Sequence, residues 1–247
     1  MTNQIIVVGG GPSISEGIRE GLWEKIQGKW TVGCNSIFKF FTPTLLTFLD
    51  YPQFYKLFFD ELKALPLIVG RASDYMREYK HQNTILLNDS FHYDRTLQSG
   101  VYSGQLCGLF ATTLATHFLE NGGEIFLLGM DFGATVTTEG KALDGIHKPL
   151  THFYQGNNKF HHPGIGYIGF YHKERRLSVF DPYAKLPNIK VWNVSKQSRL
   201  PQFEKISYCE FFKKLNPAEN QGFLRNFIVD KLKLVSHYYW DPLNADV

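Results

Sequence analysis

Ile5-Ile6-Val7-Val8-Gly9-Gly10-Gly11-Pro12-Ser13 is the stretch on which the reading of the fold turns. Four successive β-branched residues with no polar alternation describe a short parallel strand buried on both faces. Glycines follow at once, and a helix is expected from about Ser13, with Ile14, Ile18, Leu22 and Ile26 on one face. Ser13 or Ser15 serves as its cap, and Glu16 and Glu20 suit its early turns. Glycines let the backbone approach a ligand closely, and a helix start offers free N–H groups to an anion. The pattern lacks the Gly-Lys-Ser/Thr of a P-loop and the spaced third glycine of GxGxxG. A tight turn from strand to helix explains the same residues without a ligand.

Outward from this turn, short apolar runs alternate with helical patterns. Strands are expected at Trp30–Asn35, Leu45–Asp50, Leu67–Gly70, Ile85–Leu87, Glu124–Asp131 and Ile189–Val194. Helices are expected at Phe54–Leu65, at Gly100–Asn121 (closed by Gly122-Gly123), at Tyr208–Leu215 and at Asn220–Tyr239. The alternation predicts an α/β fold: an open, mostly parallel sheet with helices on both faces. A long Gly-, His- and Lys-rich polar stretch, about 133–172, has the length of a lid or binding loop. Residues 1–215 then form one nucleotide-binding α/β unit, and 216–247 a C-terminal packing helix that also offers a surface for self-association into a homo-oligomer.

In this chain of 247 residues, 43% are hydrophobic and 20% charged, which supports a packed core and excludes general disorder. A formal charge of +3 suits an anionic small molecule and is too weak to indicate nucleic acid by itself. The three cysteines, Cys34, Cys107 and Cys209, are odd in number and form no CxxC pair. They support neither a zinc site nor a disulfide framework, so a reducing compartment is expected. With no signal-peptide pattern and no apolar run near the roughly 18–20 residues that span a bilayer, the expectation is a cytoplasmic protein with no membrane span.

Function is expected where the strands end. In a parallel sheet, Asn35-Ser36, Asp50, Asp131-Phe132 and Asn193 with Ser195 all come to one edge, beside Gly9, Gly10, Gly11, Pro12 and Ser13. Polar groups converging there form the usual ligand crevice of this architecture. Each has a plainer role as well: a turn residue at Asn35, a helix cap at Asp50, a solvated acid at Asp131, an exposed turn at Asn193-Ser195. Thr96-Leu97-Gln98-Ser99-Gly100-Val101-Tyr102 opens the long helix, with Ser99 as cap and Gly100 for close approach. Tight helix packing explains Gly100 equally.

Val7-Val8-Gly9-Gly10-Gly11-Pro12-Ser13, Gly33-Cys34-Asn35-Ser36, Ser99-Gly100-Val101-Tyr102 and Leu128-Gly129-Met130-Asp131-Phe132, in that order, resemble bacterial CMP-sialic-acid sialyltransferases. They also resemble the wider superfamily of 6-hydroxymethylpterin diphosphokinase-like domains and motility-associated glycosyltransferase factors. The resemblance spans about residues 4–200 and implies a Rossmann-like, GT-A-like sheet. It further implies that Gly11, Ser13, Asn35, Ser99 and Gly100 hold the nucleotide, and that a loop like Asn193–Ser198 closes its pocket. The family's catalytic histidine follows Tyr-Ile-Gly. Here Tyr167-Ile168-Gly169 is followed by Phe170, and His172 comes two residues later. The family's loop asparagine is Gly10, its asparagine after strand three is Asp50, and its arginine before the Ser-Gly step is Thr96.

The expected function is transfer of a sugar from a CMP- or UDP-linked donor to a hydroxyl acceptor. His172 acts as base and Tyr102 hydrogen-bonds the leaving phosphate. The acceptor, whether glycan, small molecule or modified nucleic acid, is open, and no metal or other cofactor is required. Two alternatives stand beside it: an ATP-dependent phosphotransferase in which Asp50 and Asp131 hold Mg²⁺, and a nucleotide-binding protein without catalysis.

Overall fold

A computed structural model describes residues 3–49, 58–72, 83–104, 106–132, 153–154, 174–236 and 238–239. Asp50, His172 and the expected lid, apart from 153–154, lie outside the described residues.

The run that opened the reading is strand β1, Gln4–Val8, buried at every position. It lies within a sheet of nine strands. On one side of it follow β2 (Thr31–Cys34), β3 (Leu45–Phe48), β4 (Ile68–Arg71) and β5 (Thr84–Leu87), in that spatial order. On its other side lie β8 (Gly123–Leu128), β9 (Ile189–Asn193) and β10 (Glu204–Lys205). These strands pair in parallel, so their carboxyl ends share one edge. Beyond β5, β11 (Tyr238–Tyr239) pairs antiparallel, Tyr238 opposite Leu86. A separate parallel pair joins β6 (Asp89–Ser90) to β7 (Val101–Tyr102).

Alternation along β1 divides the core. Ile5 and Val7 face one layer, with α4 (Cys107–Phe118) and α7 (Gln221–Leu232) packed over them. Ile6 and Val8 face the other, against α1 (Ile14–Arg19), α2 (Leu22–Ile26) and α6 (Tyr208–Lys214). A third cluster, Leu46, Phe48, Ile68 and Leu86, is covered by Leu62 of α3 (Phe59–Leu62). A short α5 (Asp181–Ala184) precedes β9. A strand buried on both faces has no polar side to show, which is why Ile5–Val8 is apolar throughout.

Three expectations need correction. The single helix from Ser13 is two, broken where Gly21 turns left-handed at φ 78°. The helix expected over Gly100–Asn121 begins only at Cys107, because residues 101–102 pair with β6 instead. The helix expected to Tyr239 ends at Leu232, and Tyr239 belongs to β11.

α7 contributes Leu224, Ile228 and Leu232, fully buried in the same core as β1 and α4. Leu224→Ala is expected to lower stability by about 2–5 kcal/mol within one cooperative urea transition. An unchanged midpoint would show that α7 is peripheral to the core.

Candidate functional site

The chain runs from β1 outward to β5, then returns to lay β8 on the opposite side of β1. The crevice of a doubly wound sheet opens at such a reversal. Here it lies between the ends of β1 and β8, where Gly9 and Gly129 face each other.

The glycine turn is built against the β8 end. The Gly9 amide donates to the Leu128 carbonyl at 2.8 Å, and the Gly11 amide to the Gly129 carbonyl at 2.9 Å. A Cβ on Gly11 would stand 2.5 Å from both Asp131 Oδ2 and the Gly129 oxygen. The close approach that the glycines permit is therefore filled by the chain itself. Asp131, 6% exposed, accepts a hydrogen bond from the Ser13 amide at 2.7 Å through Oδ2. The Ser13 side chain makes no capping bond, so the expected Ser13 cap is replaced by Asp131 from another loop. The anion at the start of α1 is the protein's own carboxylate, and the reading of Asp131 as a solvated loop acid does not hold.

Met130 fills the space beneath. Its side chain lies against Gly9 and against Gly108 in the first turn of α4; a Cβ on Gly108 would stand 2.5 Å from Met130 Sδ. The segment after β9 ties the same loop from its far side. The Ser198 hydroxyl donates to the Met130 carbonyl at 2.8 Å, Asn193 Nδ2 donates to Ser198 Oγ at 2.8 Å, and the Arg199 amide donates to the Asp131 carbonyl at 2.8 Å. Gly10 is also engaged: its carbonyl accepts from the Phe153 amide at 2.8 Å, and Phe153 packs on Phe40 at 4.9 Å between ring centres.

Two strand ends leave the sheet in an unusual backbone state. Asn35 after β2 and Phe132 after β8 both have φ 49°. Asparagine tolerates this region; a phenylalanine there is uncommon, and such strain gathers at functional positions. The Phe132 ring meets Phe180 edge-on at 5.3 Å. Ser36, beside Asn35, is buried in a 3-10 turn over Asn35–Lys39.

Ser99 lies elsewhere than expected. Asp94 organises its loop, accepting from the Thr96 amide and hydroxyl at 2.8 and 2.7 Å and from the Ser99 amide and hydroxyl at 3.3 and 3.1 Å. Burial works against the Asp94 carboxylate, but these bonds together outweigh it and hold the group below its usual range. Ser99 is exposed and caps no helix. Gly100, at φ 100°, is required because a Cβ would stand 2.5 Å from the Asn88 carbonyl, which accepts the Val101 amide at 2.8 Å. Tyr102, in β7, is half-buried, and burial raises its phenol above the ordinary value. Its carbonyl accepts from Thr113 Oγ1 at 2.6 Å. Among the described residues, no hydrogen bond joins Ser99 or Tyr102 to the glycine turn.

No local pattern marks Tyr208 as a neighbour of this turn. It is buried under α1, where a Cβ on Gly17 would meet its ring at 2.4 Å. Burial drives its phenol far above the ordinary range, and the nearby Asp131 charge pushes the same way. The Ser13 hydroxyl pulls in the opposite direction without reaching regular hydrogen-bond geometry.

Among the described residues, nine buried side-chain polar atoms have no hydrogen-bond partner. Five of them are Ser13 Oγ, Asn35 Oδ1, Asp131 Oδ1, Asn193 Oδ1 and Ser195 Oγ, all at or beyond the carboxyl ends of β1, β2, β8 and β9. Most buried polar groups in folded proteins are paired, so these atoms are the candidates at this edge for contacts with water or a ligand. The described residues include no group of three or more His, Cys, Asp or Glu side chains suited to a metal ion. They also include no helix long and apolar enough to cross a membrane. Comparison with family models, curated proteins and solved structures finds no match for this chain.

Asp131→Ala leaves the Ser13 amide unpaired and is expected to cost about 1–3 kcal/mol in urea unfolding. Asp131→Asn, which keeps an acceptor oxygen, is expected to lose less. Equal losses in the two variants would show that the bond to Ser13 is not what the carboxylate contributes.

Proposed function

We propose that the protein is a glycosyltransferase that moves a sugar from a CMP- or UDP-linked donor to a hydroxyl acceptor. The observation that carries this reading is the set of unpartnered buried oxygens at the sheet edge, on Ser13, Asn35, Asp131, Asn193 and Ser195. A nucleotide offers ribose hydroxyls and, in cytosine, an amino group to such acceptors. The reversal of strand order at β1 and β8 supports the same place, in a sheet of Rossmann-like, GT-A-like character. Asn35 is the leading nucleotide contact, and the main-chain groups of Gly9–Ser13 shape the adjoining wall.

The chemistry asks for a base and an exit for charge. His172 takes the proton of the acceptor hydroxyl as its oxygen bonds to the sugar's anomeric carbon, and the bond from that carbon to the phosphate oxygen breaks. The nucleotide leaves with the electron pair. Tyr102 hydrogen-bonds the departing phosphate, and the segment 133–172 keeps water, the competing acceptor, away from the donor. The alternative phosphotransferase calls on Asp50 and Asp131 to hold Mg²⁺; Asp131 Oδ2 is engaged by the Ser13 amide at 2.7 Å, which leaves Oδ1 for the ion.

Thermal unfolding in EDTA tests the proposal. CMP or UDP is expected to raise Tm of the wild-type protein, and Asn35→Ala to abolish the rise, while His172→Ala retains it and loses turnover. A response only to ATP, in a parallel series with Mg²⁺ in place of EDTA, would replace this reading with the phosphotransferase. No response to any nucleotide would remove both.

A further inference from the structure

The cysteines that look unrelated in the sequence are not all apart in space. Cys34 ends β2, and Cys107 begins α4. Thr47, opposite Cys34 across β2 and β3, lies between them. Its hydroxyl is 4.0 Å from Cys34 Sγ and 3.6 Å from Cys107 Sγ. Cys34 Sγ is also 3.8 Å from the Cys107 carbonyl oxygen, and Cys107 Sγ is 3.3 Å from the Thr47 carbonyl oxygen. The two are thiols in this structure, and Cys209, exposed on α6, stands apart from them.

We propose that Cys34 and Cys107 form a thiol pair that closes to an intramolecular disulfide by exchange with a low-molecular-weight disulfide. Both sulfurs lie within 4.0 Å of one oxygen. Cys34 Sγ also lies 3.8 Å from the Cys107 carbonyl oxygen, so the two residues are neighbours, and forming the bond brings their sulfurs to about 2 Å.

The two cysteines have different exposures and so different parts. Cys107 is half-buried and within reach of a small reagent; Cys34, 5% exposed, is shielded from it. Cys107 also stands in the first turn of a twelve-residue helix, where the free amide ends favour negative charge on a side chain. The exchange starts there. Cys107, having lost its proton, attacks one sulfur of the small disulfide, forms a mixed disulfide, and releases one small thiolate. Cys34 then gives up its proton and attacks Cys107 Sγ, and the second small thiolate leaves. Two protein thiols are oxidised, one small disulfide is reduced to two thiols, and the released protons restore both small thiolates.

The bond would tie the first turn of α4 to the end of β2, one residue before Asn35. The inference does not rest on the glycosyltransferase reading, because its test reads sulfur chemistry and not nucleotide binding. The full-length Cys209→Ser protein, which lacks the exposed thiol, is incubated with oxidised glutathione, alkylated, and mapped by mass spectrometry without reduction. A peptide linked through Cys34 and Cys107 is expected, with titratable thiols falling from two to none and recovered by dithiothreitol. With Cys34→Ala added, the reaction is expected to stop at a mixed disulfide on Cys107. A glutathione adduct that persists on Cys107 while Cys34 stays alkylatable would overturn the pair. So would links between two copies of the chain, or no modification of Cys107 at all. The map of the Cys34-containing protein decides the matter even if the Cys34→Ala chain fails to fold.

Discussion

One carboxylate joins the end of β8 to the start of α1 at the centre of the sheet. Asp131, at the end of β8, accepts the Ser13 amide at the start of α1 and thereby fastens the turn after β1 to its neighbour strand. The glycines are what allow it. At Gly11 a side chain would collide with the carboxylate itself, 2.5 Å from its Oδ2. A turn that reads as a cradle for a foreign anion is thus occupied by an internal one. It has the same electrostatic logic, an anion at free amides, applied to joining two strands.

Everything else at the edge is arranged about that fastening. Met130 fills the space between Gly9 and the first turn of α4, while Ser198 and Arg199 bind the same loop from the β9 side. Several buried oxygens at the same strand ends have no hydrogen-bond partner among the described residues. Unpaired buried acceptors are costly, by roughly 1–3 kcal/mol each. The start of α1 is thus occupied by the Asp131 carboxylate, bonded to the Ser13 amide.

What could be read from the sequence was local. The uninterrupted apolar run of β1, and that of β8, announced strands buried on both faces, and the alternation of strands with helices announced the parallel sheet. Boundaries set by distant contacts were not legible. Ser99-Gly100 looks like a helix start, but the pairing of Val101 with Asp89 and the four bonds to Asp94 make it a loop. The cap of α1 comes from a residue 118 positions away, with no local signature. Tyr208 likewise enters the site from α6 through packing alone, and the meeting of Cys34 with Cys107 depends on how α4 lies over β2 and β3. The strand-end polar residues were found because a parallel sheet brings them to one edge. Their individual duties, Asn193 as a tie and Asp131 as a cap, needed coordinates.

Amide hydrogen exchange at Ser13 tests the fastening most directly. If Asp131 holds that amide, Ser13 exchanges as slowly as the strand amides of β1, requiring a large opening of the fold. Exchange of Ser13 at the rate of an exposed loop amide, while β1 stays protected, would contradict the account.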